Sequence, residues 1–161
     1  MKRRLLSLGL LAALVLGMLC PASAVDEAES ETSQVLREIV YIPLDDRPLS
    51  KDRVELMAEM LNVKLIMPDT DLYATRLDGQ ITNSNGTQYG DRGALMAWLM
   101  EQAEQYDTFI LSMDQLLSGG LMNSRCMSAM EKLVLPDGTE MTEYEVVDYL
   151  AELSETKQVY V

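Results

Sequence analysis

The chain has 161 residues, 13 basic and 26 acidic, no histidine, and a formal charge of −13. That length suits one domain, and the missing histidine removes the commonest general base and the commonest transition-metal ligand, leaving carboxylate-held hard cations as the open metal chemistry. Lys2, Arg3 and Arg4 account for three of the 13 basic residues, so the remainder balances 10 against 26, or −16, a charge that repels phosphate backbones and disfavours nucleic acid as a partner.

Lys2-Arg3-Arg4 precede Leu5–Leu19, an apolar run in which Ser7 is the polar exception, and Ala22-Ser23-Ala24 has the small residues of a cleavage site. This is the pattern of a secretory signal peptide over residues 1–24. The run is short for the ~20 residues of a membrane-spanning helix. It predicts a secreted or cell-surface protein with no membrane contact after cleavage. Leu19 stands where a lipid-bearing cysteine at position 20 would want a small residue, so cleavage after Ala24 is expected, and Cys126 is then the one thiol left. A lone cysteine makes no internal disulfide, and without a histidine to activate it Cys126 reads as a small packed residue.

Residues 25–38 are acidic and carry Ser and Thr, which reads as a flexible tether. Ile39-Val40-Tyr41-Ile42 is a short buried strand, ended by Pro43. Ser50 is placed to cap a helix over Lys51–Leu61, where Val54, Met57, Ala58 and Leu61 recur at helical spacing. Val63–Met67 is a second strand. Asp69–Gly90, rich in Gly, Asn, Asp and Thr, is a long loop with a turn at Asn85-Gly86. Asp91 caps a helix from Arg92 to about Tyr106 that presents Leu95, Leu99 and Ala103 on one face, with Trp98 beside them. Thr108–Met113 is a third strand, and Asp114–Arg125 a glycine-containing segment. Leu133-Val134-Leu135 with Pro136-Asp137-Gly138 gives a short strand and a turn. Thr142 and Glu145 form a capping-box pattern opening a helix to about Glu155, and Gln158–Val161 begins a further strand. There is no internal repeat and no low-complexity segment.

Short apolar strands alternating with helices predict an α/β fold with a parallel sheet. It is expected as the first half of a (β/α) barrel, with a doubly wound sheet as the alternative. Residues 39–161 then form the N-terminal part of a larger domain, since the last strand is cut at the terminus.

In such folds ligands sit beyond the carboxyl ends of the strands. Asp45, Asp46 and Arg47 follow the first strand, Asp69 and Asp71 the second. Asp114 ends the third, with Gly119, Gly120, Ser124 and Arg125 after it. Adjacent side chains of an extended chain point to opposite faces, so one of Asp45 and Asp46 reaches the crevice while the other caps the next helix or pairs with Arg47. Gly119-Gly120 could carry backbone N–H groups close to a ligand or form a plain tight turn. The spacing lacks both the dinucleotide fingerprint and the Walker lysine. Arg125 offers a planar fork to a carboxylate or sugar, or clamps Asp46 or Asp114. Ser112, Ser118 and Ser124 have no local base to activate them. The methionine-rich helices read as core packing.

The segments Ile42-Pro43-Leu44-Asp45-Asp46-Arg47-Pro48 and Leu111-Ser112-Met113-Asp114-Gln115-Leu116-Leu117-Ser118-Gly119-Gly120-Leu121, with Ser124-Arg125, resemble the bacterial family known as domain of unknown function 4127. The resemblance covers residues 39–161. It implies a longer protein and brings no established activity, so no catalytic role is carried over. It does imply that Asp45, Asp46, Arg47, Asp114, Gly119, Gly120, Ser124 and Arg125 belong to the family's defining pattern.

Export, an acidic crevice and carboxylates on successive strand ends lead to one functional expectation, a secreted hydrolase of carbohydrate or cell-wall material. Asp45 or Asp46 would work with Asp114 as the two carboxyls that flank the bond. Arg47, Gly119, Gly120, Ser124 and Arg125 would bind the ligand, a polar small molecule or glycan. No cofactor is expected, and a divalent cation is the one addition the acids would allow. The alternative is a non-catalytic extracellular protein that binds a polar ligand with the same residues. The sequence sets no oligomeric state.

Overall fold

The computed structural model describes residues 35–77, 79, 81–125 and 132–161. The leader, most of the acidic segment and Cys126 lie outside the described residues. Four short strands build the main sheet: β1 (Arg37–Ile42), β2 (Val63–Ile66), β3 (Thr108–Leu111) and β6 (Gln158–Tyr160). Their order is β2-β1-β3-β6, and every neighbouring pair is parallel. The α/β class and the parallel sheet are therefore as expected from the alternation of elements. β3 lies beside β1 and not beside β2, so the strand order reverses between β1 and β3. That reversal is the mark of a doubly wound sheet, whereas a run of a (β/α) barrel would have set β3 beside β2.

Register explains which residues form the core. Val40 is level with Ile66 and Phe109, Ile42 with Leu111, and Phe109 with Val159. Side chains alternate along a strand, so these share one face. There they meet Leu95, Met96 and Leu99 of α2 (Arg92–Ala103), Leu116 of α3 (Met113–Ser118), and Val146 and Leu150 of α4 (Glu143–Thr156). On the opposite face α1 (Asp52–Met60) packs against β2. The Tyr41 hydroxyl donates to the Ser50 carbonyl at 2.6 Å, fixing the chain that leads into α1. The same face is open over β3 and β6, where Ile110 is 39% and Tyr160 58% exposed.

Local chemistry sets the element ends. Asp91 accepts from the Ala94 N–H at 2.9 Å and caps α2. Thr142 and Glu145 form the capping box of α4. Ser50 does not cap α1: Lys51 occupies that position without a side-chain bond, and the Ser50 hydroxyl serves Asp45 instead. The segment after β3 holds an extra helix, α3, started by Ser112, which accepts from the Gln115 N–H, and stopped by Gly119 in the left-handed region at φ 75°. A six-residue helix is too short to show its period in sequence. β4 (Leu133–Val134) pairs antiparallel with β5 (Glu140–Met141), the hairpin partner that the sequence did not disclose.

Candidate functional site

The strand order reverses between β1 and β3, and doubly wound sheets bind ligands in the crevice beyond the carboxyl ends at such a point. Ser112 donates its N–H to the Ile42 carbonyl at 3.0 Å, so the two strand exits leave side by side. The Pro43–Arg47 turn forms one wall and α3 with its Gly119-Gly120 exit the other. The first part of the long loop, from Tyr73 to Arg76, meets both.

Asp45 is 2% exposed and fully engaged. Its Oδ1 accepts from the Arg47 N–H at 3.1 Å, and its Oδ2 accepts from Arg47 Nε at 2.8 Å and from Arg47 Nη2. Burial pushes this carboxyl up, but the bonds from Arg47 and from the Ser50 hydroxyl outweigh it and hold Asp45 below its ordinary value. Asp46 points the other way, as alternation along the chain requires. Its Oδ1 accepts from the Thr75 N–H at 3.1 Å, and Arg76 Nη1 lies 3.7 Å from Oδ2. The adjacent acids are thus divided between two arginines, and each ties a different loop to the strand exit. Asp69 caps the short 3-10 turn Thr70–Leu72, and Asp71 accepts from the Ser84 N–H at 2.8 Å. Both are turn-forming acids.

Asp114 differs. It is half-buried in the first turn of α3. While its backbone carbonyl accepts from Gly120 N–H at 3.0 Å, its carboxylate has no partner among the described residues. Arg125 is exposed and clamps neither Asp46 nor Asp114. Ser124 donates its hydroxyl to the Leu121 carbonyl at 2.8 Å, a local bond of the turn. Gly119 and Gly120 both have positive φ, 75° and 128°, and both are approached closely by the protein itself. A Cβ on Gly119 would stand 2.8 Å from the Gly90 carbonyl.

Sequence reasoning missed four residues that build this corner. Asn83, 3% exposed, donates to the Ala74 carbonyl at 2.7 Å and the Tyr89 carbonyl at 3.0 Å, and accepts from Arg76 Nε at 3.0 Å. Arg76 and Thr75 meet Asp46. Gln115 is wholly buried between Gly90 and Gly120. Only a polar residue at a core-facing position of α3 could have drawn attention to Gln115, and the loop residues have no periodicity to read.

Beside the crevice, Asn85, Tyr89, Gly90, Arg92, Ser118 and Asn123 help to line a polar cavity of about 250 Å³. None of Asp45, Asp46, Arg47, Asp114, Gly119, Gly120, Ser124 and Arg125 is among the residues that line it. Its cations are committed: Arg92 Nη1 donates to the Leu117 carbonyl at 2.7 Å, and Lys132 pairs with Glu140 at 2.9 Å. Among the described residues no group of three or more carboxylates or thiols could hold a metal ion, and no helix is long and apolar enough to cross a membrane.

No curated protein and no solved structure matches the chain. The model of one family matches residues 39–158, a span that takes in both signature segments, β2 and β3 whole, most of β1 and the first residue of β6. The chain belongs to that family, described as protein of unknown function (DUF4127).

Proposed function

We propose that this is an exported protein that binds a polar ligand, a glycan or a small hydroxyl-bearing molecule, at the crevice between β1 and β3, with Asp114 as its carboxylate contact. The observation that carries this reading is the division of labour among three acids. Asp45 and Asp46 are spent on Arg47 and on Thr75 and Arg76, whereas the Asp114 carboxylate, in the first turn of α3, has no partner among the described residues. An ionised carboxylate accepts hydrogen bonds from hydroxyls and does not donate, so it suits a ligand rich in O–H groups. Export rests on the basic, apolar and small-residue blocks of residues 1–24.

The hydrolytic reading retains one supporting observation, the same free carboxylate. Glycoside cleavage needs two carboxyls with separate roles. Asp45, held ionised and saturated with donors, is poorly suited to give up a proton. A hydrolase built here would therefore use Asp114 with an acid from outside the three.

Protein recovered after export is the material for the test, and its mass should place the mature N-terminus at Val25. Calorimetric titration with chitooligosaccharides and peptidoglycan fragments, with product analysis on the same samples, distinguishes the readings. Binding without turnover, weakened about tenfold or more by Asp114→Ala as expected for a charge-assisted hydrogen bond, supports the binder. Turnover that Asp114→Ala abolishes replaces it with the hydrolase. Binding that Asp114→Ala leaves untouched removes the crevice from consideration.

A further inference from the structure

Gln115 is fully buried, and both its amide oxygen and its amide nitrogen lack a hydrogen-bond partner. The Thr75 hydroxyl, also shut off from solvent, lacks one too. Buried polar atoms in native proteins are nearly always satisfied, and an orphan costs free energy that folding has no reason to accept. These groups come from two different segments and converge. The position a Cβ would take on Gly120 lies 3.1 Å from Thr75 Oγ1, 3.3 Å from Gln115 Oε1 and 3.9 Å from the Leu44 carbonyl oxygen. Three oxygens from three segments thus lie within 4 Å of one point beside Gly120. On the other side of the amide, Gln115 Nε2 fills the place where Gly90 would carry a Cβ.

We propose that this corner is a binding site for one buried water molecule. The water would satisfy two of the three unpartnered atoms: the Thr75 hydroxyl donates to it, and it donates one hydrogen to Gln115 Oε1 and the other to the Leu44 carbonyl, while Gln115 Nε2 keeps no partner from it. Internal waters typically make about three such bonds. A hard cation fits poorly, because calcium takes about 6–8 oxygens, carboxylates among them, and the three here are neutral. So bound, the water fastens the exit of β1, the loop after β2 and the exit of α3 to one another. Residue 120 is glycine on account of its backbone, whose φ of 128° L side chains rarely adopt. The site stands independently of the ligand proposed at Asp114.

Unfolding temperatures of the full chain with Thr75→Val, Gln115→Met and both changes, read beside a high-resolution crystal structure, test this. A bridging water predicts a single solvent peak within hydrogen-bond distance of Thr75 Oγ1 and Gln115 Oε1. Each single variant should melt about 3–8 °C lower, and the double variant should lose less than the sum, because the two side chains share one partner. Thr75→Ser, which keeps the hydroxyl, should retain the peak. Single variants that melt at or above the parent temperature, with additive effects and no solvent peak, would overturn the proposal. So would a peak too large for water.

Discussion

Asp45 shows how much a single side chain can decide at the exit of a strand. Its carboxylate closes a turn through the Arg47 backbone and an ion pair through the Arg47 side chain, while itself nearly excluded from water. The folded-state value lies below 3.8, so the stabilisation is present above the unfolded value and is lost as pH falls through the folded one. Arg47 is 63% exposed, which screens the ion pair and leaves the backbone and hydroxyl bonds as the larger share. Asp45→Asn should therefore cost about 1–2 kcal/mol at neutral pH. The gap to the parent should narrow between neutral pH and acid, as the carboxyl is protonated below its ordinary value and both chains come to carry an uncharged side chain. Urea unfolding at the two pH values checks this; a gap that persists in acid would mean that shape, and not charge, holds the turn. The pair Asp45-Asp46 was legible as two acids with opposite orientations, because alternation along the backbone is a local rule. That Arg76 would meet Asp46 was not legible, because 30 residues of chain separate them and nothing local aims one at the other.

At the scale of elements, what could be read was what repeats. The strands were legible from β-branched and aromatic runs, α2 and α4 from their caps and apolar faces. α3 and β5 escaped, because one helical turn or one pair of residues carries no period, whereas β4 was legible from Leu133-Val134-Leu135 and the turn that follows it. Close approach escapes for a related reason, since glycine in a helix is ordinarily a weak choice and gives no hint of its neighbour. Gly93, in the first turn of α2, is such a case. A Cβ there would lie 1.9 Å from the Val134 carbonyl oxygen and 2.7 Å from its carbon. β4 therefore rests directly on the helix backbone. Gly93→Ala would gain helix propensity in isolation, yet in the fold it must push the β4–β5 hairpin away. The expected result is a net loss of about 1–3 kcal/mol, with faster amide hydrogen exchange in Leu133–Met141 than in β1 or β3. Equal protection in the two regions would show that the hairpin shifts without strain.

For the molecule as a whole, the surface is as informative as the core. α1 turns Leu56, Met57 and Met60 to solvent, each more than half exposed, with Leu49 and Leu61 nearby. Contiguous apolar surface of this kind is uncommon on a soluble monomer and favours association. Leu56→Lys with Met60→Lys should leave the unfolding temperature within about 2 °C, as surface changes usually do. Light scattering of the double variant at high concentration should fall. A marked drop in unfolding temperature would show instead that these side chains are packed when the chain is in solution.

The pairing of β1 with strands on both of its sides has a consequence for the order of assembly. Val40 meets Ile66 at a sequence separation of 26 (66 − 40) but meets Phe109 only at a separation of 69 (109 − 40). One flank of the central strand can be zipped early; the other must wait until the whole long loop and α2 have been gathered in. Closing the longer span carries the greater entropic toll, which slows folds rich in distant contacts. The late partner is β3, so the crevice at the exits of β1 and β3 is completed only when that last seam closes. Any change that delays the docking of β3 would thus leave a chain with much of its helix content and no binding cleft.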